Sequence, residues 1–587
     1  MMKGQLPQAT TVFHTYVRLL HLPSKQPKVK YDAVIVGAGH NGLVCGAYLQ
    51  KAGCNVCILE RRHVVGGAAV TEEIIPGFKF SRASYVLSLL RPQIYKDLQL
   101  ENHGLKVYER NPNLYTPLRP DFWKSNSPRS LTLGQDDSYN KEQIAKFSHL
   151  DAEIYAEYEQ HLMKIVKIVE PFLDTSPTDI GKIFSENTYI KKILHVLSTP
   201  ELKIAGRQLL SSANDFPALW DFMTAPAGKI LSRWFESEPL KATLATDSLI
   251  GSMVGPHTPG SGYVLIHHML GQVNGKIGAW GYPRGGMGAV SESLASAAKS
   301  YGAEIFTSQA VEKILLDSSG EAIGVITTEG KEILGKIVLS NATPHITFLQ
   351  LLPSGVLPSQ YESAIRSTEY SSPVTKINVA LSQLPEFISD PSTVGNKPMP
   401  FHRCTINLNC ENLDVLTKAY EAATKGKISE RPLIEMVIPS VLDDSLCPKG
   451  SHVCLLFTQY TPYHLANGQV WDNTTKERYA KLVFDNIEEY APGFTKSVIG
   501  KEILSPPDIE NEFGLTGGNI FHGALSPDQL LLGRPAPGGG GPSAPAAPFT
   551  PVPRLLLCGS GSHPGGGVMG AAGLIAARSA IRLLKKS

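Results

Sequence analysis

The sequence is poor in cysteine and carries almost no net charge. Only 8 cysteines are scattered over 587 residues, which is too few for a disulfide framework and suits a reducing compartment. With 55 basic against 53 acidic residues, no global field favours nucleic acid or an anionic surface as a partner. The length allows two or three domains with sizeable cores.

A second absence is local: the first thirty residues contain no Asp or Glu, although five of them are basic. Apolar side chains between Val12 and Leu20 could form one face of a short helix. This profile resembles a mitochondrial presequence, although it is poor in arginine and serine, and it has no secretory h-region. Residues 1–30 are therefore expected to direct the chain to the mitochondrial matrix or the matrix side of the inner membrane. The alternative is an untargeted tail on a cytoplasmic protein.

The most informative stretch is Tyr31 to Glu73. A short apolar run ending at Val36 predicts a buried strand, and Gly37, Gly39 and Gly42 form a GxGxxG pattern, with Ala38 and Asn41 completing the loop. The following helix N-terminus would face phosphates. Glu60 ends a second predicted strand 18 residues after the last glycine, where a doubly wound fold places the acid that binds ribose hydroxyls. This segment predicts a dinucleotide site.

Cys54 and Cys57 form a CxxC within the same stretch. Their odd spacing in a strand directs the two side chains to opposite faces, so we do not expect them to pair. The sequence therefore does not predict a disulfide redox centre.

The continuation past Glu60 separates FAD from NAD. Gly66 and Gly67 follow the acid by six and seven residues, and Thr71 follows the pair. This extension resembles that of the amine oxidase, phytoene desaturase and related flavoproteins. The resemblance implies FAD as the cofactor, contacted also by Arg61 and Ala68, and it implies that Arg82 or Ser84 lies near the flavin or its diphosphate.

A second resemblance covers residues 281–316. A PxGGM stretch, a helix from Ala289 to Lys299 and strands from Ala303 to Phe306 and Ala310 to Leu316 succeed one another as in that family. The resemblance implies that Val311 contacts the adenine through its backbone. Gly285 to Gly288 lacks a preceding buried strand and a ribose acid, so we predict no nicotinamide site there.

The third resemblance lies at the C-terminal end. A strand from Leu555 to Leu557 enters a glycine-rich stretch from Gly559 to Gly573 that is similar to the flavin motif of bacterial-type phytoene desaturases. The resemblance implies flavin contacts at three positions: Gly559, Val568 and Met569. His563 is the candidate catalytic side chain, with a purely loop-stabilising role as the alternative. The uncharged run around this stretch is rich in glycine and contains a proline, which favours strand, loop and helix over a membrane span.

These segments predict an α/β fold, with a Rossmann-like FAD-binding domain of the amine oxidase and phytoene desaturase type and an inserted α+β substrate domain. The FAD-binding domain is assigned to residues 31–105, 265–345 and 552–587. Residues 106–264 and 346–551 are assigned to the substrate domain, whose clearest helix runs from Asp151 to Leu173. Residues 533–553, rich in proline, glycine and alanine, are expected to form a flexible loop.

The resemblance implies an FAD-dependent oxidoreductase that takes hydride from an apolar small molecule, as a desaturase or isomerase does. Oxygen or a quinone is the expected electron acceptor, and no metal cluster is visible. One alternative is a flavin-binding mitochondrial regulatory protein that acts through a protein partner with little turnover. The other is an amine oxidase, although the aromatic-rich motif of those enzymes is missing. Peripheral membrane contact is left open.

Overall fold

The computed structural model describes residues 26–123, 127–177, 188–392, 397–541 and 544–585. The strands are β1 Lys30–Val36, β2 Val56–Leu59, β3 Thr71–Ile75, β4 Phe78–Ser81, β5 Val107–Glu109, β6 Leu114–Pro117, β7 Ser130–Leu133, β8 Gln272–Val273, β9 Lys276–Ile277, β10 Gly281–Pro283, β11 Glu304–Phe306, β12 Val311–Leu316, β13 Ala322–Thr327, β14 Glu332–Ser340, β15 Thr375–Leu381, β16 Thr405–Leu408, β17 Leu433–Val437, β18 His452–Gln459, β19 Val498–Leu504 and β20 Leu555–Leu557.

The α-helices are α1 His40–Lys51, α2 Pro92–Asp97, α3 Asp137–Ala145, α4 His149–Leu173, α5 Tyr189–Ser198, α6 Pro200–Ser211, α7 Phe216–Thr224, α8 Ala227–Trp234, α9 Glu238–Ala245, α10 Ser261–Met269, α11 Gly288–Ser300, α12 Pro344–Leu349, α13 Ser359–Arg366, α14 Leu413–Thr424, α15 Asn473–Glu488, α16 Phe494–Ser497, α17 Pro506–Phe513 and α18 Ala571–Leu584. Short 3-10 turns connect several of them.

The first sheet is built on parallel strands in the order β11-β2-β1-β14-β20, and β13 and β12 extend it as an antiparallel edge. In its register Val36 pairs with Leu59 on one side and with Ser340 on the other, and Ser340 pairs with Leu557. The parallel strands therefore end at one edge of the sheet. Open α/β sheets bind ligands at this edge.

Two cores cover the faces of this sheet, because successive side chains of a strand point to opposite sides. Ile35 packs with helices α1, α11 and α18, and Val34 packs with α12 and α13. Cys54 contacts the first core and Cys57 belongs to the second. All eight cysteines are free, and for Cys54 and Cys57 this agrees with the CxxC interpretation.

The second sheet has the order β19-β15-β18-β17-β16-β6-β7. Helix α15 packs on one face, and the other face packs against the β3-β4 hairpin and helix α17. Helices α4 and α7 to α10 form a helical layer beside it, and α6 packs on α4 from outside. The two sheets and this layer give a mixed α/β protein, which confirms the predicted fold class.

The described parts of residues 533–553, which leave out 542 and 543, differ from the expected flexible loop. Ala536, Ala547 and Val552 are buried, and a Cβ added at Gly540 would lie 2.4 Å from the ring of Tyr361. Small residues let this segment pack closely instead of projecting into solvent. Across the described ranges, no helix is long and apolar enough to cross a membrane.

Candidate functional site

The GxGxxG loop connects β1 to α1. Gly37 has a φ of +95°, and its N–H donates to the Leu59 carbonyl at 2.7 Å. A Cβ added at Gly42 would lie 2.2 Å from the Gly37 carbonyl oxygen, so only glycine lets the helix start this close to the strand. Val36, Gly37 and Gly39 line a cavity, while Ala38, Asn41 and Gly42 support the loop from behind.

Glu60 braces this loop. The carboxylate is buried and accepts from the Ala38 N–H at 2.8 Å and from the Arg62 N–H at 2.9 Å. Each carboxylate oxygen has a second acceptor site, and Glu60 lines the cavity. Arg61 also lines it, although its guanidinium donates to the carbonyls of Asn511 and Glu512.

The glycine pair contacts the loop directly. The Gly66 N–H donates to the Ala38 carbonyl at 2.8 Å, and a Cβ added at Gly67 would lie 3.5 Å from the Gly39 Cα atom. Gly66, Gly67 and Ala68 all line the cavity. The extension past Glu60 therefore forms a second wall of the same site.

Chain segments far away in sequence close the loop from the other side. Asn341 follows β14, and its Nδ2 donates to the Gly37 carbonyl at 3.4 Å. Asn41 donates to Ser560 Oγ at 3.0 Å. Val311, Asn341, Ser560 and Val568 line the cavity. Sequence reasoning did not select Asn341 or Ser560 as site residues, because their partners lie far away in the sequence.

Gly559 and Met569 lie outside the cavity lining. A Cβ added at Gly559 would lie 2.6 Å from the Asn341 carbonyl oxygen, so this glycine holds two segments together. The Met569 side chain is buried in the helical core, and its carbonyl accepts from the Arg91 N–H at 3.0 Å. Gly559 and Met569 therefore lie behind the residues that line the cavity and support them.

The cavity continues from the loop into the helical layer. Its volume is about 380 Å³, within the range of about 300–1,000 Å³ that is typical of small-molecule sites. Its far end is an apolar chamber, walled by Leu133, Tyr155, Tyr158, Leu162, Leu244 and Leu265. One continuous space thus joins a dinucleotide loop to an apolar chamber.

A buried polar cluster also lies in the cavity wall. On β17, Glu435 pairs in register with Phe457 of β18, and its Oε2 accepts from the Tyr85 hydroxyl at 2.5 Å. Arg110 donates to Thr405 Oγ1 and lies over the ring of Trp280 at 5.9 Å. Sequence reasoning identified none of these residues, because each is an ordinary polar residue on a different element.

Ionisation in this cluster is strongly perturbed. Burial raises the pKa of the Glu435 carboxyl to about 7. Burial also raises the pKa of Asp247, while His268 and Arg110 oppose that rise. The His268 Nδ1 lies 2.7 Å from the Asp247 carbonyl oxygen, and burial lowers the pKa of this imidazole. Asp247, His268 and Glu435 all line the cavity.

Comparison with known families decides the class of this site. A family model described as "Flavin containing amine oxidoreductase" matches residues 42–418. The chain belongs to this flavin-containing family. Pyridine nucleotide-disulfide oxidoreductase domain-containing protein 2 of Rattus norvegicus is 53% identical over 95% of this chain and 94% of its own.

More distant relatives also align with this chain over almost its whole length. A limonene dehydrogenase component from Castellaniella defragrans is 26% identical over 93% of this chain and 94% of its own. The structure of putrescine oxidase bound to putrescine superposes with a TM-score of 0.52 at 14% identity, covering 95% of this chain and all of the other. The latter likeness concerns the fold alone. These flavin-family relationships confirm FAD as the predicted cofactor.

The geometry fits a flavin dinucleotide. The cradle at Gly42 and Gly66 leaves no room for side chains, since an added Cβ would lie 2.2 and 2.4 Å from backbone oxygens. Spare acceptor sites of Glu60 face the cavity beside Val311. When bound, FAD supplies two-electron chemistry that the side chains here cannot perform.

Two predicted flavin contacts lie elsewhere. His563 is buried outside the cavity lining, with its Nε2 2.7 Å from the Phe172 carbonyl oxygen, and burial lowers its pKa to about 4. The structure therefore favours the loop-stabilising alternative for this histidine. Arg82 also lies off the cavity, where it pairs with Glu72, Glu502 and Glu512. Ser84 does line the cavity.

Gly285 to Gly288 does not form a second nucleotide loop. The Gly288 N–H donates to Thr71 Oγ1 at 2.8 Å, and the Met287 N–H donates to Ser81 Oγ at 2.9 Å. These contacts join the start of α11 to the β3-β4 hairpin. Across the residues that the structure describes, no group of three or more His, Cys, Asp and Glu side chains could hold a metal ion.

Arg534 holds the C-terminal motif in place. Its buried guanidinium donates to the Ser560 carbonyl at 3.0 Å and to the Ala524 carbonyl at 3.1 Å. It also donates to the carbonyls of Phe521, Gly523 and Gln529. The guanidinium thus donates the hydrogen bonds that water would otherwise donate to carbonyl groups of two loops. Burial lowers the pKa of Arg534 to about 10.

Proposed function

We propose that this chain is an FAD-dependent oxidoreductase that takes hydride from an apolar substrate. The observation that carries the proposal is the single cavity that joins the dinucleotide loop to the apolar chamber. The flavin accepts the hydride. The chamber binds the substrate by apolar burial and excludes water from the reacting carbon.

Glu435 is the best placed proton acceptor. Loss of hydride from one carbon and of a proton from its neighbour leaves a carbon–carbon double bond. The Tyr85 hydroxyl donates to Glu435 Oε2 at 2.5 Å. No other described residue hydrogen-bonds to this carboxylate, so Oε1 can accept the proton. A carboxyl with a pKa of about 7 is well matched to proton transfer near neutral pH.

The likeness to the limonene dehydrogenase component supports this reaction class. That protein is named for the dehydrogenation of limonene, an apolar hydrocarbon. A substrate of this kind needs a chamber like the one formed by Leu162, Leu244 and Leu265. Oxygen or a quinone is the proposed acceptor, because the chain offers no second dinucleotide loop within the described ranges.

A visible spectrum of the purified protein tests the proposal. We expect a flavin band at about 450 nm, bleached anaerobically by members of a terpenoid hydrocarbon panel. A protein purified under native conditions without flavin would refute the proposal. Bleaching by diamines instead of hydrocarbons would refute the substrate class.

The pH dependence of bleaching tests Glu435. A carboxylate base acts only when ionised, so the rate should rise as pH increases through about 7. Because the Tyr85 bond lowers the Glu435 pKa and the Asp247 charge raises it, Tyr85→Phe should move this limb to higher pH and Asp247→Asn to lower pH. Glu435→Gln should abolish the limb. Burial also lowers the pKa of Lys376 to about 7. If the rise in rate with pH survived in Glu435→Gln and disappeared in Lys376→Met, the proton acceptor would be Lys376 and not Glu435.

An amine oxidase is the second candidate, favoured by one observation. Asp247 and Glu435 place two carboxyl groups in the cavity wall, and neither forms an ion pair within the described residues. A substrate ammonium could occupy this position. In that case putrescine should bleach the flavin, and Asp247→Asn should weaken its binding.

Residues 1–30 are proposed to direct the chain to mitochondria, since they contain basic but no acidic residues. Residues 1–25 lie outside the described ranges. A fusion of residues 1–30 to a fluorescent protein should enter mitochondria. A fusion with its basic residues replaced by glutamine should stay in the cytosol, and equal distribution of the two would refute the proposal.

A further inference from the structure

Large apolar side chains are exposed together in one region of the structure. Of those exposed in the described residues, about half lie between residues 189 and 220. We call this set the apolar face; it consists of Tyr189, Ile190, Ile193, Leu194, Leu197, Ile204, Leu209, Leu210, Phe216 and Trp220. Soluble proteins rarely expose so many neighbouring apolar side chains unless the surface binds something.

Helix α5 presents its apolar side outwards. Tyr189, Ile193 and Leu197 recur every four residues, which places them on one side of the helix, and they are 84%, 57% and 56% exposed. No residue of α5 is buried. This orientation is the reverse of a surface helix that packs on its own core.

The neighbouring helix α6 anchors the face to the protein. Leu202 and Ala205 are buried, and Glu201 forms an ion pair with Arg578 of α18 at 2.9 Å. Ile204 and Leu210 of the same helix are 60% and 81% exposed. The face is thus displayed on a helix that is fixed to the fold.

The charges around the apolar face are mainly basic. Lys191, Lys203 and Arg207 lie on α5 and α6, and no described acidic residue forms an ion pair with them. Of the acidic side chains nearby, Glu201 pairs with Arg578 and Asp221 pairs with Arg233, which leaves Asp215 as the one without an ion pair among the described residues. Lysine and arginine beside exposed apolar side chains match an anionic lipid surface.

We propose that the apolar face docks the protein on an anionic membrane surface. Helices α5 and α6 would lie in the headgroup region, with apolar side chains inserted and basic side chains at the phosphates. Tyr189 and Trp220, which is 63% exposed, are the residue types that occupy this interface. The basic border matches lipid phosphates, which carry a charge that a neutral protein surface lacks.

The position of the face relative to the cavity gives a second argument, which rests on the proposed function. Helix α6 packs on α4, and α7 packs on α10. The inner sides of α4 and α10 carry Tyr155, Leu162 and Leu265 of the apolar chamber. Docking would therefore bring a chamber for apolar substrates next to the phase in which such molecules dissolve.

Vesicle flotation of the full chain tests the proposal. The probes are vesicles of phosphatidylcholine alone and vesicles with about 30 mol% phosphatidylserine. We expect the protein to float with the anionic vesicles. The double variant Ile193→Glu, Leu197→Glu should lose at least about tenfold in binding, since charge at the buried depth opposes insertion. The matched control Val470→Glu, Ile499→Glu changes side chains that are 65% and 51% exposed elsewhere, and it should float normally.

A charge variant separates the two contributions. Lys191→Gln, Lys203→Gln should bind anionic vesicles about 25-fold more weakly, at about fivefold per lysine, and should bind neutral vesicles as the wild type does. Absence of wild-type flotation, or equal loss in the face and control variants, would overturn the proposal. So would a wild-type dimer in light scattering that the face variant converts to monomer without any vesicle binding. The flavin absorbance of each variant reports folding, and the proposed reaction plays no part in the readout.

Discussion

Glu60 offers the sharpest test of the dinucleotide site. The Glu60→Gln variant keeps the side-chain volume but places an amide NH₂ where one carboxylate oxygen accepts from a backbone N–H, at 2.8 Å from Ala38 or 2.9 Å from Arg62. It also removes the negative charge from the group whose oxygens would accept hydrogen bonds from the adenosine ribose hydroxyls. Hydrogen bonds to a charged group contribute about 1.5–3 kcal/mol, so FAD binding should weaken about 10- to 100-fold.

The assay compares two flavins on apoprotein by quenching of their fluorescence. FAD reaches Glu60 through its adenosine, while riboflavin has no adenosine and occupies only the isoalloxazine end. Glu60→Gln should therefore weaken FAD and leave riboflavin unchanged. Glu332→Gln, an exposed glutamate on β14 of the same sheet, is the matched control. If riboflavin weakened as much as FAD, the change would act on the whole site and not through the adenosine, and the ribose assignment would be refuted; unchanged FAD binding would refute it as well.

Three further predictions concern packing around the site. Gly42→Ala should abolish FAD retention, because the added Cβ would lie 2.2 Å from a backbone oxygen. The control Gly206→Ala places its Cβ 4.0 Å from the nearest neighbour. It should stabilise α6 by up to about 1 kcal/mol in thermal unfolding. Arg534→Lys should lower the urea concentration that releases flavin, since lysine cannot reach carbonyls on both loops. An unchanged urea midpoint would show that Arg534 does not hold the two loops together. Tyr158→Phe should not lower the thermal midpoint, because this buried hydroxyl has no partner among the described residues; a clear loss would reveal an unrecognised bond.

The dinucleotide half of the fold could be predicted because its signals are local. The apolar strand, the three glycines and Glu60 all lie within one βαβ unit, and steric rules tie each glycine to a specific turn. The contacts that close the loop are different. Asn341 lies 304 residues from Gly37, and Ser560 lies 519 residues from Asn41. Only the pairing of β14 and β20 with the first sheet brings them there.

Composition misled the prediction at residues 533–553. Proline, glycine and alanine offer little apolar volume, which is why a flexible loop was expected. The same small residues allow a close approach, as at Gly540 against Tyr361. The one large polar side chain, Arg534, is satisfied entirely by carbonyl groups of folded loops. Local composition cannot report such partners, because they exist only in the folded chain.

The sequence interpretation of the chemistry was also incomplete. It expected hydride transfer from an apolar small molecule and selected His563 from its place in a flavin-like motif. The structure turns His563 towards the Phe172 carbonyl and brings Asp247 and Glu435 to the cavity wall instead. Taking a carboxylate out of water costs several kcal/mol unless a partner compensates. Arg110 donates to Thr405 and opposes the rise in the pKa of both carboxyl groups, but it forms no ion pair with Asp247 or Glu435 within the described residues. An apolar chamber alone would be more stable with leucine at these positions, so the two carboxyl groups are best explained by contact with the substrate or its proton.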